Sequence, residues 1–105
     1  MEISFKDLKE MFKNDEENKF FFKNGTKLFI RTVTMAITGC LKEAGKTELV
    51  LEDACWIADT GRFADFLATG KLNECEPFPV GNVLIGRSSI IDCCEWKHDL
   101  PRKQL

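Results

Sequence analysis

Four consecutive residues, Asp59, Thr60, Gly61 and Arg62, form the clearest candidate for binding chemistry in this sequence. They precede a segment predicted to be helical, so their backbone N–H groups, with Arg62 nearby, could hold a phosphate or a carboxylate. The alternative is that Asp59 or Thr60 simply caps the helix, which is a common role for these residue types. The sequence leaves both interpretations open.

Arginine and tryptophan side chains supply the other candidate ligand contacts. Arg31 and Arg87 could join Arg62 at one site, because a guanidinium group suits bidentate phosphate contacts. Solvation at the surface is the ordinary alternative for each. Trp56 and Trp96 follow acidic, cysteine-rich strand ends, where a ring could stack on a base. Packing in the core or at a subunit interface is the alternative for both rings.

Residues suited to catalysis or metal binding are scattered. The single histidine, His98, has no serine or cysteine placed for it to activate, and the five cysteines include no Cys-x-x-Cys pair. Carboxylates that could form an acid–base pair or a magnesium site fall on different predicted elements, namely Glu52, Asp53, Asp59 and Asp65. We therefore expect a non-enzymatic protein without catalytic residues, metal or cofactor.

Composition indicates one ordinary globular domain over residues 1–105, with 44% hydrophobic and 30% charged residues. Fifteen Lys and Arg against 17 Asp and Glu leave a net charge of -2, which gives no bulk attraction to nucleic acid or membrane. The chain has no signal-like apolar start and no 18-residue apolar run, and its odd number of cysteines favours reduced thiols in the cytoplasm. The vicinal Cys93 and Cys94 should point to opposite faces of a strand, which would leave one thiol exposed.

The first half of the chain predicts a helix followed by strands. Residues 4–14 carry an apolar stripe at helical spacing, and a strand beginning near Phe20 should turn back at Asn24 and Gly25, a strong hairpin signal. Residues 27–43 then predict one long strand, bent at Gly39 and apolar on both faces. The next strand should end near Asp53.

The second half predicts an irregular region between strands. Residues 58–80 are expected to form a helical insertion. Its short helix should end at Gly70, with Phe63, Phe66 and Leu67 facing inward. A proline-containing surface connection follows. Residues 82–96 predict two strands interrupted near Gly86 and Arg87, and the polar tail 97–105 should be frayed.

Two blocks of this pattern resemble the Sm-like family of small β-barrels. Residues 20–57 present a strand, a glycine-containing turn, a long strand with an internal glycine, and a strand ending in Leu-Glu-Asp-Ala. Residues 82–96 resemble the second block, in which an apolar strand passes through glycine and arginine into another. The resemblance implies a mainly β fold with short helices: a strongly bent, five-stranded antiparallel barrel with an N-terminal helix.

The resemblance also implies how the protein would work. Sm-like proteins form rings through their strand edges, so we expect a homo-oligomer, with interface residues Trp56, Ile90, Ile91 and Trp96. RNA-binding members place an aspartate and an asparagine before the Leu-Glu-Asp strand, where this chain has Gly45 and Glu48. The usual RNA site is therefore not expected.

Three functions follow from these observations. The first is a non-enzymatic module that oligomerises and binds a nucleotide-type ligand or a protein partner, and such a protein could belong to a phage or mobile element. The second is an Sm-like RNA-binding protein, whose affinity would depend steeply on salt. The third is a small enzyme acting on a phosphorylated substrate through residues 59–65.

Overall fold

The computed structural model describes residues 19–105, so the helix predicted for residues 4–14 lies outside the described part of the chain. Six antiparallel strands form one sheet: β1 (Lys27–Thr32), β2 (Ala36–Ala44), β3 (Glu48–Asp59), β4 (Glu74–Pro77), β5 (Asn82–Gly86) and β6 (Ile90–Glu95). The short helix α1 (Phe63–Thr69) follows β3, and a 3₁₀ turn (Arg87–Ser89) separates β5 from β6. The described chain is therefore mainly β, as the sequence predicts. Within this part of the chain the sheet has six strands and not the expected five, because the predicted helical insertion over residues 58–80 also contains the strand β4.

The strands are ordered β4-β3-β2-β1-β6, and β5 also pairs with β3. One edge of β3 holds two strands in succession, because β5 pairs with residues 48–52 and β4 with residues 55–59. Between these two stretches lies Asp53, a non-glycine residue with a φ of +51°. This left-handed residue interrupts the regular geometry of the strand without ending it. The predicted end of β3 near Asp53 is wrong for that reason.

The predicted long strand over residues 27–43 is two strands joined by a tight turn. Thr32 closes the turn: its backbone N–H donates to the carbonyl of Met35 at 2.7 Å, and its hydroxyl accepts the N–H of Met35 at 3.1 Å. A threonine turn of this kind carries no glycine, proline or asparagine, so its sequence signal is weak. The predicted irregularity at Gly39 is present, since the β2–β3 register shifts between Thr38 and Cys40.

The turn at Asn24 and Gly25 forms, but the predicted hairpin around it does not. Gly25 has a φ of +92°, and the N–H of Thr26 donates to the carbonyl of Lys23 at 3.1 Å. Residues 19–26 nevertheless contain no strand. Phe20 and Phe22 instead pack against the core, and the N–H of Gly25 donates to the carbonyl of Leu41 on β2 at 2.6 Å.

Both faces of the sheet are buried, each in its own core. The first core consists of eight buried residues: Leu28, Ile30, Ile37, Leu41, Leu49, Leu51, Ala54 and Ile85. The second core lies on the opposite face, beneath α1 and the tail, and consists of Phe29, Cys55, Ile57, Phe66, Cys75, Trp96 and Leu100. Adjacent β1 residues thus enter different cores, which explains why that strand is apolar on both faces.

The tail over residues 97–105 is packed and not frayed as predicted. The backbone groups of Leu105 and Cys75 bond in both directions, at 3.0 and 3.2 Å, so the tail covers part of the outer edge of β4. The indole N–H of Trp96 donates to the carbonyl of Asp99 at 3.0 Å, and the imidazole of His98 donates to the carbonyl of Leu67 at 2.7 Å. These bonds attach the tail to α1 and to the second core.

The five cysteines differ in burial: Cys55 and Cys75 are buried, Cys40 and Cys93 are partly buried, and Cys94 is exposed. Burial raises the pKa of Cys55 to about 12, with a hydrogen bond to Cys75 adding to the effect, and burial raises the pKa of Cys93 to about 11. Burial also raises the pKa of Cys94, but this residue is exposed on the surface. Because only the thiolate attacks, raised pKa values slow reaction at neutral pH, and burial blocks access as well.

We expect an aromatic disulfide reagent at pH 7.5 to modify Cys94 before any other thiol within residues 19–105. Cys55 and Cys75 should react only after unfolding, because both are almost fully buried. The Cys94→Ala variant should lose the fast phase, whereas the Cys93→Ala variant should keep it. A fast phase that survives Cys94→Ala would contradict this assignment.

Candidate ligand-binding groove

An open groove of about 820 Å³ lies between α1 and the tail. We call it the α1 groove. Three of the four residues singled out from the sequence, Thr60, Gly61 and Arg62, line one wall. The rest of its lining comes from α1, the segment after it and the tail: Asp65, Thr69, Gly70, Lys71, Leu72, Asn73, Asp99, Leu100, Pro101 and Leu105.

Local hydrogen bonds hold the wall of the α1 groove in place. The carboxylate of Asp59 accepts the N–H of Gly61 at 2.8 Å, and the carbonyl of Asp59 accepts the N–H of Asn73 at 3.0 Å. Gly61 has a φ of +69°, and a Cβ atom there would lie 3.2 Å from the side-chain nitrogen of Asn73. The loop before α1 and the segment after it therefore pack closely.

Asp59 and Thr60 do not cap the helix as the sequence suggested. The N-cap residue is Arg62, and no side chain makes a capping hydrogen bond. Asp59 closes the turn before it, and the hydroxyl of Thr60 donates to the carbonyl of Gly61 at 2.7 Å. Because α1 has only seven residues, anion binding in the groove would depend on side chains and not on the helix terminus.

The charges of the α1 groove are mixed. Arg62 and Lys71 supply the cations, and Asp65 and Asp99 supply two carboxylates. Asn73 and Thr60 add neutral polar groups that can donate or accept hydrogen bonds. Such a lining can hold an anionic group against Arg62 and Lys71 while the carboxylates accept from the donors of the same ligand.

The three arginines proposed for one site occupy three different surroundings. Arg31 makes a two-pronged ion pair with Asp92, in which its Nε lies 2.8 Å from Oδ1, and its guanidinium lies 5.0 Å from the centre of the Phe63 ring. Hydrogen bonding and charge from Arg31 lower the pKa of Asp92, and the same pairing raises the pKa of Arg31. Arg31 therefore lies outside the α1 groove.

Arg87 is held at the other end of the sheet. Its guanidinium donates to the carbonyl of Gly45 at 2.9 Å and lies 5.5 Å from the centre of the Phe20 ring. These contacts fix the 3₁₀ turn against the β2–β3 turn. Of the three arginines, only Arg62 lines the α1 groove.

The four residues predicted at interfaces also differ in position. Trp96 is 2% exposed in the second core, so it is not available to a partner in this conformation. Ile90 is partly buried against the first core, whereas Ile91 is exposed on β6. Trp56 is 40% exposed.

Trp56 lines a second pocket that the sequence reasoning missed. This pocket has a volume of about 330 Å³, and we call it the Trp56 pocket; its lining is Met35, Trp56, Glu76, Pro77, Phe78 and Pro79. The sequence signal is the run Glu76 to Pro79, whose alternating prolines and aromatic ring are also typical of a surface connection. Nothing in the sequence indicates that Met35 lies beside this run, because the pattern predicts Met35 within a continuous strand.

Within residues 19–105, no group of three His, Cys, Asp or Glu side chains could hold a metal ion. The same residues contain no helix long and apolar enough to cross a membrane. No protein-family model, curated protein or solved structure matches this chain. The α1 groove and the Trp56 pocket are therefore interpreted from their own chemistry.

Proposed function

We propose that this protein is a non-enzymatic binding module whose α1 groove takes a nucleotide-type ligand. The observation that carries the proposal is the placement of Arg62 and Lys71 in one groove of about 820 Å³. That volume lies within the range typical of small-molecule sites. Two cations, an amide and a threonine suit the phosphates, while the carboxylates of Asp65 and Asp99 suit the donor groups of a ribose or a base.

We further propose that the chain is a divergent Sm-like barrel that assembles through strand edges. The order of β1, β2 and β3 supports the later part of the first Sm-like block, while the strand expected before Gly25 is absent from residues 19–26. The succession of β5, the 3₁₀ turn and β6 supports the second block. The register shift at Gly39 and the left-handed Asp53 favour strong bending of β2 and β3. Among the described strands, β5 and β6 each pair on one side only, and each exposes a large apolar residue, Leu84 and Ile91.

Removing either groove cation should weaken nucleotide binding. A charge-assisted hydrogen bond contributes about 1.5–3 kcal/mol, so Arg62→Ala or Lys71→Ala should each reduce affinity about 10-fold or more. Calorimetric titration with adenosine and guanosine nucleotides and with pyrophosphate is the measurement. Arg31→Ala is the matched control, because it removes the same charge outside the groove.

Equal losses for Arg31→Ala and Arg62→Ala would indicate a general charge effect and contradict the groove assignment. Nucleotides that emerge hydrolysed or transferred would support the enzymatic alternative instead. Copurified RNA, released in steps as salt increases, would support the RNA-binding alternative.

Native mass spectrometry of protein purified from cells tests the assembly. We expect a ring-sized oligomer that carries a small phosphorylated ligand. A monomer at micromolar concentration would contradict assembly through β5 and β6.

A further inference from the structure

The Trp56 pocket combines an apolar lining with a single carboxylate. Trp56 and Glu76 are direct cross-strand partners in the β3–β4 ladder, so their side chains leave the same face of the sheet. Both residues line the pocket together with Met35 and Phe78. A ligand resting on the indole of Trp56 would therefore present its edge to the carboxylate of Glu76.

The electrostatic character of this pocket is negative. Within residues 19–105, no Lys, Arg or His side chain lines it, and Glu76 supplies its only formal charge. Glu74, two positions along β4, lies on the same face of the strand. A nucleotide phosphate would meet these carboxylates unfavourably, whereas a cation would be attracted by both the acid and the face of the indole.

In a neighbouring pocket, an arginine of this chain already pairs with the carboxylate that lines the pocket. That pocket, of about 180 Å³, shares Pro77 and Phe78 with the Trp56 pocket and is also lined by an acid, Asp53. It contains Arg102 from the tail, whose guanidinium lies 3.3 Å from the carboxylate of Asp53. The Trp56 pocket has the acid and the shared apolar wall without an arginine among its lining residues.

We propose that the Trp56 pocket binds an arginine side chain of a partner protein, stacked on the indole of Trp56 and hydrogen bonded to the carboxylate of Glu76. Guanidinium fits better than ammonium, because its flat face stacks on an aromatic ring while its edge donates two parallel hydrogen bonds. The apolar walls from Met35 and Phe78 accommodate the methylene groups of the side chain. The site is separate from the α1 groove and does not depend on the function proposed for that groove.

Two blocked tripeptides test this proposal directly on the full chain: acetyl-Gly-Arg-Gly-amide and the same peptide with citrulline, the neutral isostere of arginine. The chain has two tryptophans, so their indole N–H signals in nitrogen-15 spectra report on one exposed and one buried ring. We expect the arginine peptide to shift the Trp56 signal with a Kd of about 1 mM, the affinity expected of a single side chain. The citrulline peptide should bind at least about fivefold more weakly, because it lacks the charge.

Two conservative variants locate the contact. Glu76→Gln should reduce affinity for the arginine peptide to that of the citrulline peptide. Trp56→Phe should reduce it severalfold, measured by the backbone amide signal of Glu76 because this variant has no Trp56 indole. Glu74→Gln is the matched control, since it removes an equal charge from the same face of β4 outside the pocket lining, and it should leave the affinity unchanged.

Equal binding of the two peptides would overturn the proposal, as would equal losses for Glu76→Gln and Glu74→Gln. Guanosine monophosphate shifting the Trp56 signal more strongly than the arginine peptide would also overturn it, in favour of nucleotide stacking. Since Glu76 is exposed on the surface, Glu76→Gln should fold normally, so the test remains valid if Trp56→Phe is destabilised.

Discussion

Replacing Phe66 with alanine is expected to destabilise the protein by about 3–5 kcal/mol, the usual cost of removing a fully buried phenylalanine. Phe66 is 0% exposed, and its ring centre lies 4.7 Å from that of Trp96 and 5.0 Å from that of Phe29. It is the only buried residue of α1, so it alone attaches the helix to the sheet by deep burial. Denaturant unfolding, followed by far-UV and near-UV circular dichroism, measures the loss.

Phe63→Ala is the matched control for this variant. Phe63 belongs to the same helix, but it is 41% exposed and stacks at 6.4 Å from Phe66 at the edge of the cluster. Its loss should cost only about 1–2 kcal/mol, because much of its ring is already exposed in the folded protein. Similar losses for the two variants would mean that α1 is not held by Phe66.

Gly70→Ala is expected to cost about 2–5 kcal/mol for two additive reasons. Gly70 ends α1 with a φ of +77°, which costs a non-glycine residue about 1–2 kcal/mol. A Cβ atom there would also lie 2.8 Å from both the Cβ and the Cγ of His98, and overpacking of this kind costs about 1–3 kcal/mol. His98 cannot easily move away, because its ring bonds to Leu67 and packs edge-on against Trp96.

The Gly25→Ala variant is the control that separates the steric cost of a new Cβ atom from the cost of the positive φ. Gly25 has a comparable φ of +92°, but a Cβ atom there would meet nothing within 4 Å. Gly25→Ala should therefore cost only about 1–2 kcal/mol, from the backbone conformation alone. If Gly70→Ala and Gly25→Ala lower the free energy of unfolding by the same amount, His98 must move to accommodate the new methyl group.

Strand composition and the strongest turn signals were predictable from local chemistry. The β-branched and aromatic residues of β1, β2 and β5 predict strands, and Gly70 predicts the end of α1, because these preferences depend on the residue itself. The turn at Val33 and Thr34 was not predictable in this way. Its stability comes from hydrogen bonds to the Thr32 side chain, and threonine is equally typical of strands.

The continuation of β3 past Asp53 depends on distant parts of the chain. Residues 55–59 remain in a strand because β2 pairs with them on one side and β4 on the other. No pattern within Cys55 to Asp59 indicates that second partner. The fixed tail is a similar case, since the bonds between Leu105 and Cys75 join residues 30 positions apart.

The candidate sites were predictable only as far as they are local. The α1 groove contains three residues that are neighbours in the sequence, Thr60, Gly61 and Arg62. It also contains residues that only the folding of α1 and the tail brings next to them, namely Lys71, Asn73 and Asp99. Arg31 and Arg87 lie outside the groove that Arg62 lines, because they belong to β1 and to the 3₁₀ turn. The spacing of the three arginines along the sequence does not predict the distances between them in the folded chain.

Because β3 pairs with both β4 and β5 and contributes to both cores, it limits where the chain can be cut into fragments. Leu51 belongs to the first core and Ile57 to the second, and one uninterrupted strand carries both. A cut between residues 48 and 59 would divide the strand that contributes to both hydrophobic cores, and each fragment would lack part of both cores. We therefore expect that neither fragment folds alone. New termini for a circular permutant, or an inserted reporter, are better placed near Pro79 to Gly81, where the chain is exposed and lies between β4 and β5.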